Sequence, residues 1–188
     1  MPKPLAPVIV FCFNRPKHLS ETLTSLKSNF LAKESDLFIF SDGARDETDK
    51  IKVAEVRQVA KSASGFRSLT VIEAARNRGL ADSVINGVSQ ILQKYHQVIV
   101  LEDDMISTPD FLTYMNNALS VYADRPEIFS ISGYTPPFQI PVAYQKDVYL
   151  SPRTSSWGWA TWSDRWEKAD WAVKDFDELK ESKTLRAV

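Results

Sequence analysis

The sequence lacks several features that would assign it to familiar classes of protein. A single cysteine, Cys12, excludes an internal disulfide framework, and its place in the first apolar run predicts a buried, unreactive thiol. No apolar run approaches the roughly 18 residues of a membrane-spanning helix. The opening MPKPLAP also lacks the layout of a signal peptide. We therefore expect a cytoplasmic protein without a transmembrane segment, while peripheral association with a membrane stays open.

An excess of charge of either sign is also missing. The formal net charge is -1, from 23 basic and 24 acidic residues. Nucleic-acid-binding proteins usually present a basic face, so we expect no nucleic acid as a partner. Neither GxGxxG nor GxxxxGK[ST] occurs in the chain. A bound phosphate would therefore have to be held by a metal ion and by basic side chains such as Arg15 or Arg78.

Short apolar runs alternate with helical patterns along the first 130 residues. The runs cover residues 8–13, 37–41, 69–72 and 98–101, and their unbroken apolar character is typical of strands buried on both faces. Helical stripes follow at residues 19–30, with Asn14 as a candidate cap, and at 51–59 and 80–95. Thr108 and Pro109 predict the start of a fourth helix. This alternation predicts an α/β fold with a mostly parallel sheet flanked by helices and a Rossmann-like N-terminal half.

The pattern becomes less regular after about residue 130. The stretch 133–144 contains three prolines and no helical period, and residues 157–171 hold all five tryptophans. We therefore predict two halves of one continuous domain, residues 1–130 and 131–188, with substrate specificity in the second half.

Three adjacent carboxylates, Glu102, Asp103 and Asp104, directly follow the fourth apolar run. In open α/β sheets, ligands bind outside the carboxyl ends of the strands. Adjacent carboxylates raise one another's pKa unless a cation or hydrogen-bond donors compensate them. Mg²⁺ or Mn²⁺ would do so, taking one or two carboxylates together with substrate phosphate oxygens. A solvated acidic turn is the alternative, but the position at a strand end favours the metal.

Six stretches together resemble the GT-A glycosyltransferases. They read VIVFCFNRP at 8–16, SDGA at 41–44, NRGLADSVINGV at 77–88, LEDDMISTPDF at 101–111, SGYTPP at 132–137 and WGWATWSDRW at 157–166. Within that group the chain is most similar to the inverting N-acetylglucosaminyltransferase I-like branch and its bacterial relatives. The resemblance implies a GT-A fold, a nucleotide-diphosphate sugar as donor, and a first half that binds it.

The resemblance also implies roles for individual residues. Asp104 would be the ligand of Mn²⁺ or Mg²⁺, and Asp42 would accept a hydrogen bond from the base or ribose. Other donor contacts would come from Asn14, Arg15, Arg78, Glu102 and Asp103. Contacts with the sugar or the acceptor would come from Trp157, Gly158 and Trp159, although packing in the core is the alternative for each tryptophan.

An inverting transfer needs a general base for the acceptor hydroxyl. The family places this carboxylate shortly after the tryptophan segment, but here Ala172 stands at the expected position. Asp170 and Asp175 are the nearest replacements, and the alternative is that both are surface charges. Relatives usually continue well past this point, so truncation of the chain is one interpretation that stays open.

The resulting prediction is a metal-dependent hexosyl- or N-acetylhexosaminyltransferase that uses a nucleotide-diphosphate sugar, with UDP-sugars favoured. The acceptor would be a glycan or another hydroxyl compound, as in polysaccharide biosynthesis. One alternative is a catalytically incomplete, transferase-like module that binds a nucleotide or glycan. A nucleotidyltransferase is disfavoured, because such enzymes carry a glycine-rich basic loop where this chain has FNRPKHL.

Overall fold

The computed structural model describes residues 4–137, 139 and 141–181, in which strands and helices alternate. The strands are β1 (Val8–Cys12), β2 (Asp36–Ser41), β3 (Ser68–Glu73), β4 (Gln97–Glu102), β5 (Ile131–Ser132) and β6 (Trp159–Trp162). The helices are α1 (Pro16–Lys27), α2 (Glu47–Ser62), α3 (Leu80–Leu92), α4 (Phe111–Val121), α5 (Ser163–Trp166) and α6 (Phe176–Glu181). A short 3₁₀ turn, Ala32–Glu34, precedes β2. Two residues of the irregular stretch 133–144, residues 138 and 140, lie outside the described residues. So do residues 182–188 at the end of the predicted second half.

The strands form one sheet in the order β3-β2-β1-β4-β6-β5. The first four are parallel, and Val10 of β1 lies beside Ile39 on one side and Leu101 on the other. β6 runs antiparallel to both β4 and β5. The predicted mostly parallel sheet flanked by helices is thus confirmed. The strand order reverses between β1 and β4, which is where open α/β sheets bind their ligands.

Two apolar layers cover the faces of the sheet. One face packs against α1, α2 and α4, and Leu19, Val56 and Met115 are fully buried there. The other face packs against α3 and α5 through Val88 and Trp166. Every residue of β1 is buried because this central strand has a neighbour on each side and a helix layer on each face. Cys12 lies in this core, as predicted, and burial raises its pKa to about 12.

Three residues of the predicted apolar stripes are exposed instead of buried. Phe30, Ile51 and Leu80 are 69%, 71% and 57% exposed. α1 ends before Phe30, so the helical period no longer places that side chain on the core face. In α2 the core positions belong to Val53 and Val56, which lie on the other side of the helix from Ile51.

Some predicted boundaries and environments are also wrong. Asn14 does not cap α1; the N-cap position belongs to Arg15, and the Asn14 side chain donates to Asp49. α4 begins at Phe111 rather than at Pro109. β3 is half exposed instead of buried on both faces, because it is the edge strand of the sheet. These differences leave the carboxyl edge of β1, β2 and β4 as predicted.

Candidate functional site

The acidic triplet lies at the carboxyl end of β4, beside the loop that follows β1. Arg15, from that loop, joins two of its carboxylates: Nη2 donates to Oδ1 of Asp103, and Nη1 donates to Oδ2 of Asp104 at 2.9 Å. Burial alone would lower the pKa of Arg15, but the hydrogen bonds and charges of the two aspartates raise it overall. The sequence analysis expected a metal ion to relieve the crowding of these charges. A protein cation already relieves part of it.

Asp103 is the buried member of the triplet. It is only 2% exposed, and its second oxygen, Oδ2, is buried without a well-formed hydrogen bond to any described residue. Burial raises the pKa of Asp103, and Arg15 partly opposes this. Asp103 is therefore enclosed by protein, a position that does not favour its predicted contact with the donor.

Asp104 is the accessible member of the triplet. Its side chain is 42% exposed and lines a cavity of about 430 Å³ between the loop that follows β4, Gly133 and Trp157. Glu102 is half-buried, and its pKa is raised first by burial and then by the charges of Asp104 and Asp103. The predicted metal ligand is thus the carboxylate of the triplet that faces this cavity.

Asp42 organises two loops at the same edge of the sheet. Its Oδ1 accepts from the backbone N–H of Gly43 at 2.8 Å and of Arg78 at 2.9 Å. Its Oδ2 accepts from the N–H of Gly79 at 3.0 Å and from Nδ2 of Asn77 at 3.1 Å. Protein donors therefore occupy both oxygens. The predicted direct acceptance of a nucleoside hydrogen bond is not supported, and Asp42 instead holds the loop after β2 against the loop before α3.

Two other predicted donor contacts, Asn14 and Arg78, lie in different environments. Asn14 is tied into the protein, because its Nδ2 donates to Oδ1 of Asp49 at 2.7 Å. Arg45 donates to the second oxygen of Asp49 at 2.7 Å. The side chain of Arg78 is exposed at the same rim. Of these residues, Arg78 alone presents a polar side-chain head to solvent without a described hydrogen bond.

Trp157 and Trp159 lie in different environments. Trp157 is 57% exposed, meets the ring of Tyr134 edge to face at a centroid distance of 4.5 Å, and lines the cavity beside Asp104. Trp159 belongs to β6 and stacks on Trp166 at 5.7 Å. Gly158, between them, has φ +67, which favours glycine. Trp157 is therefore the tryptophan more available to a ligand, whereas Trp159 is partly buried and packs against the core.

A second, larger cavity of about 860 Å³ adjoins the first and shares Phe111, Tyr134 and Trp157 with it. Several tyrosines line it, together with two carboxylates, Asp110 and Asp147. Neither carboxylate is among the site residues predicted from the sequence. Asp110 precedes α4 in the quoted STPDF motif, which was a usable signal, whereas the irregular segment around Asp147 offers none.

Asp170 and Asp175 line neither cavity. The carboxylate of Asp170 accepts from the backbone N–H of Ala172 at 3.1 Å and of Lys174 at 3.0 Å. It thus stabilises a local turn, and Asp175 is an exposed surface residue. The described contacts do not bring either predicted base to Asp104, so the alternative that both are surface charges fits better.

Comparison with protein families gives a direct match. The model of glycosyl transferase family 2 matches residues 8–134, more than half of the 188 residues. The chain belongs to glycosyl transferase family 2. No curated protein sequence matches it significantly. The narrower placement in the N-acetylglucosaminyltransferase I-like branch stays a prediction.

Solved structures show the fold of this family 2 chain. The S. aureus TarS structure is 17% identical with a TM-score of 0.52, over 92% of this chain and 49% of its own. An active-site variant of LgtC is 11% identical with a TM-score of 0.51, over 95% and 65% of the two chains. A mannosyltransferase from Pyrobaculum calidifontis, in complex with GDP-Man and Mn²⁺, is 20% identical with a TM-score of 0.45, over 67% and 37%. The chain spans about half the length of the TarS structure. The family match and the TarS structure confirm the predicted GT-A fold.

Two features are absent from the described residues, a self-sufficient cluster of metal ligands and a membrane-spanning helix. Across residues 4–137, 139 and 141–181, no three or more His, Cys, Asp or Glu side chains are grouped so as to hold a metal ion by themselves. Among the helices of the same part of the chain, none is both long and apolar enough to cross a membrane.

Proposed function

We propose that this family 2 chain is a metal-dependent glycosyltransferase. It would move a hexosyl or N-acetylhexosaminyl group from a nucleotide-diphosphate sugar to the hydroxyl of a glycan or similar acceptor, with inversion. Family membership and the GT-A fold support sugar transfer in general. The metal, the stereochemistry and the acceptor class are the finer parts of the proposal.

The observation that carries the proposal is the position of Asp104. It stands at the carboxyl end of β4, beside the point where the strand order reverses, and its side chain faces a cavity. An exposed carboxylate at that point of an open α/β sheet is suited to a metal-bound diphosphate. The aromatic ring of Trp157, across the same cavity, offers a flat surface for a sugar.

The charges of the acidic triplet fit a divalent cation. Glu102, Asp103 and Asp104 carry three negative charges when ionised, and Arg15 supplies one positive charge. Two negative charges then remain, which equals the charge that Mg²⁺ or Mn²⁺ would balance. Such an ion needs only one or two protein carboxylates when a diphosphate supplies further oxygens. Asp104 would hold it, and the bound ion would stabilise the departing diphosphate.

The two adjoining cavities suggest where the substrates bind. The cavity of about 430 Å³ beside Asp104 would take the donor sugar and its diphosphate. The larger cavity, of about 860 Å³, would take the acceptor, with Trp157 at the boundary between the two. We keep UDP as the favoured nucleotide. The general base stays a prediction at Asp170 or Asp175, although neither carboxylate lines a cavity.

The Asp104→Asn variant tests this function. It removes the charge of an exposed side chain, so the fold should persist while Mn²⁺-assisted binding of UDP is lost. Isothermal titration calorimetry with UDP and with GDP, with and without Mn²⁺, measures the effect. Asp124→Asn is the matched control, since Asp124 is exposed and lines neither cavity.

Equal Mn²⁺-assisted affinity in the Asp104→Asn variant and the parent would contradict the metal assignment. Tight donor binding by the parent without transfer to any glycan acceptor would instead favour a binding module.

A further inference from the structure

A stripe of polar side chains on α1 faces the loop between β4 and α4. Thr22 and Ser25 lie three residues apart on the helix, and Asn29 follows four residues later, just beyond the helix end. Side chains at these spacings share one face. All three contact the loop formed by residues 103–110, which we call the acidic loop, or the first turn of α4 beyond it. From the sequence, we predict only the apolar stripe at residues 19–30 on this helix.

Thr22 holds the backbone on both sides of Asp104. Its hydroxyl donates to the carbonyl of Asp103 at 2.8 Å and accepts from the N–H of Met105 at 3.1 Å. Thr22 itself is fully buried. One hydroxyl thus fixes the peptide groups before and after Asp104, while the Asp104 side chain stays exposed toward the cavity.

Ser25 and Asn29 hold the rest of the acidic loop. The Ser25 hydroxyl accepts from the N–H of Ser107 at 3.1 Å. Asn29 donates to Oγ of Ser107 at 3.0 Å and accepts from the N–H of Leu112 at 2.9 Å. The latter bond satisfies an N–H in the first turn of α4, whose own N-cap residue makes no side-chain cap. The loop is therefore fastened to α1 from Asp103 to the start of α4.

These hydrogen bonds hold the acidic loop in a fixed position on α1. Loops usually run over the surface, where water satisfies their polar groups. Here a rigid helix supplies the partners, and they lie on either side of the one carboxylate that faces the cavity. A group that binds a metal ion performs best when the residues around it hold it in place beforehand.

We propose that Thr22 is a positioning residue that presents Asp104 to the metal and diphosphate, with Ser25 and Asn29 fixing the remainder of the acidic loop. This inference rests on the proposed function in assigning Asp104 to metal binding. It assigns Thr22 no contact with substrate.

The Thr22→Val variant tests the proposal, because valine has nearly the same shape but no hydroxyl. Amide exchange of Met105, measured by NMR, should become roughly tenfold faster or more, since its N–H loses its acceptor. The affinity for UDP in the presence of Mn²⁺ should fall roughly 10- to 100-fold, as when a supporting partner of a metal ligand is removed. UDP binding without Mn²⁺ should not change.

Two variants act as controls. Thr24→Val makes the same change on the same helix, but the Thr24 hydroxyl is exposed and donates to the carbonyl of Ser20 within its own helix, so neither readout should move. Thr22→Ser keeps the hydroxyl and should restore both. Should Thr22→Val fail to fold, Ser25→Ala replaces it, with faster exchange expected at Ser107 and a weaker Mn²⁺-dependent affinity.

The outcomes separate this inference from the proposed function. Unchanged exchange at Met105 together with unchanged affinity would overturn the positioning role, as would faster exchange spread evenly over the whole chain. If the parent shows no Mn²⁺-assisted affinity, the proposed function fails, and with it the assignment of Asp104. Exchange at Met105 would then still report whether Thr22 holds the loop.

Discussion

Replacing Asp42 with asparagine separates two roles for the same side chain. The sequence suggests an acceptor for the nucleoside, whereas the structure shows a junction between loops. Asp42 is 8% exposed, and its oxygens accept from Gly43 and Arg78 on one side and from Asn77 and Gly79 on the other. Asparagine keeps one accepting oxygen and turns the other into an NH₂ group.

The magnitude follows from the hydrogen bonds that are lost. The new NH₂ group would face two donors, the N–H of Gly79 and the amide of Asn77, and could accept from neither. A hydrogen bond to a charged group contributes about 1.5 to 3 kcal/mol. Because water can replace part of this at a partly buried rim, we expect Asp42→Asn to lower the free energy of unfolding by about 3 kcal/mol. For a chain of this size that corresponds to a melting temperature lower by roughly 6 to 12 °C.

Urea unfolding followed by circular dichroism measures this loss. Asp46→Asn is a matched control, because Asp46 caps α2 through one oxygen only, which accepts from Thr48 and from the N–H of Asp49. Asparagine caps helices as well as aspartate does, so the control should change stability much less than Asp42→Asn does. Asp42→Asn could instead lower the free energy of unfolding no more than the control does, while nucleotide affinity falls. In that case Asp42 contacts the nucleotide directly, and its hydrogen bonds between the two loops contribute little to stability.

Two further predictions concern Asp49 and the pair of tryptophans, Trp157 and Trp159. Hydrogen bonds from Arg45, and then from Asn14, lower the pKa of Asp49 to about 2, so its contribution to stability is present above about pH 4 and is lost as the pH falls toward 2. Unfolding titrations at several pH values should therefore show a shallower acid loss in Asp49→Asn than in the parent; an identical slope would contradict this. Trp157→Ala should slow sugar transfer and change stability by less than about 0.5 kcal/mol, whereas Trp159→Ala should cost about 3 kcal/mol in urea unfolding. Equal stability losses at the two positions would refute their separation into ligand-facing and packing residues.

The strands could be predicted well because their signal is local. Short runs rich in Val, Ile, Leu and Phe locate β1, β2, β3 and β4 to within about one residue of their observed ends. Helix faces were predicted less well, because the helical period alone cannot show where a helix ends or which neighbour it meets. Phe30 illustrates this, since it continues the leucine period of α1 but lies beyond the end of the helix.

For the candidate site, the sequence predicted which edge of the sheet carries it but not the side-chain contacts within it. The acidic triplet and the loops after β1 and β2 were expected together because parallel strands share a carboxyl edge. Which carboxylate is exposed could not be predicted, because it depends on Arg15, which is 88 residues from Asp103 in sequence, and on Thr22, which is 81 residues from it. Contacts of this kind depend on how α1 packs on the sheet, so the local sequence pattern does not predict them.

The role of Arg15 decides how the acidic triplet is best understood. An arginine that bridges two carboxylates could mean that the protein neutralises the site itself and needs no metal. Against this, one guanidinium offsets only one of three negative charges, and it contacts a single oxygen of Asp103 and of Asp104. Arg15 is also 42% exposed, so solvent weakens its attraction and a diphosphate could reach it. An arginine that holds Asp103 in the interior, and can also bind phosphate oxygens, would therefore complement the proposed divalent ion at Asp104 instead of replacing it.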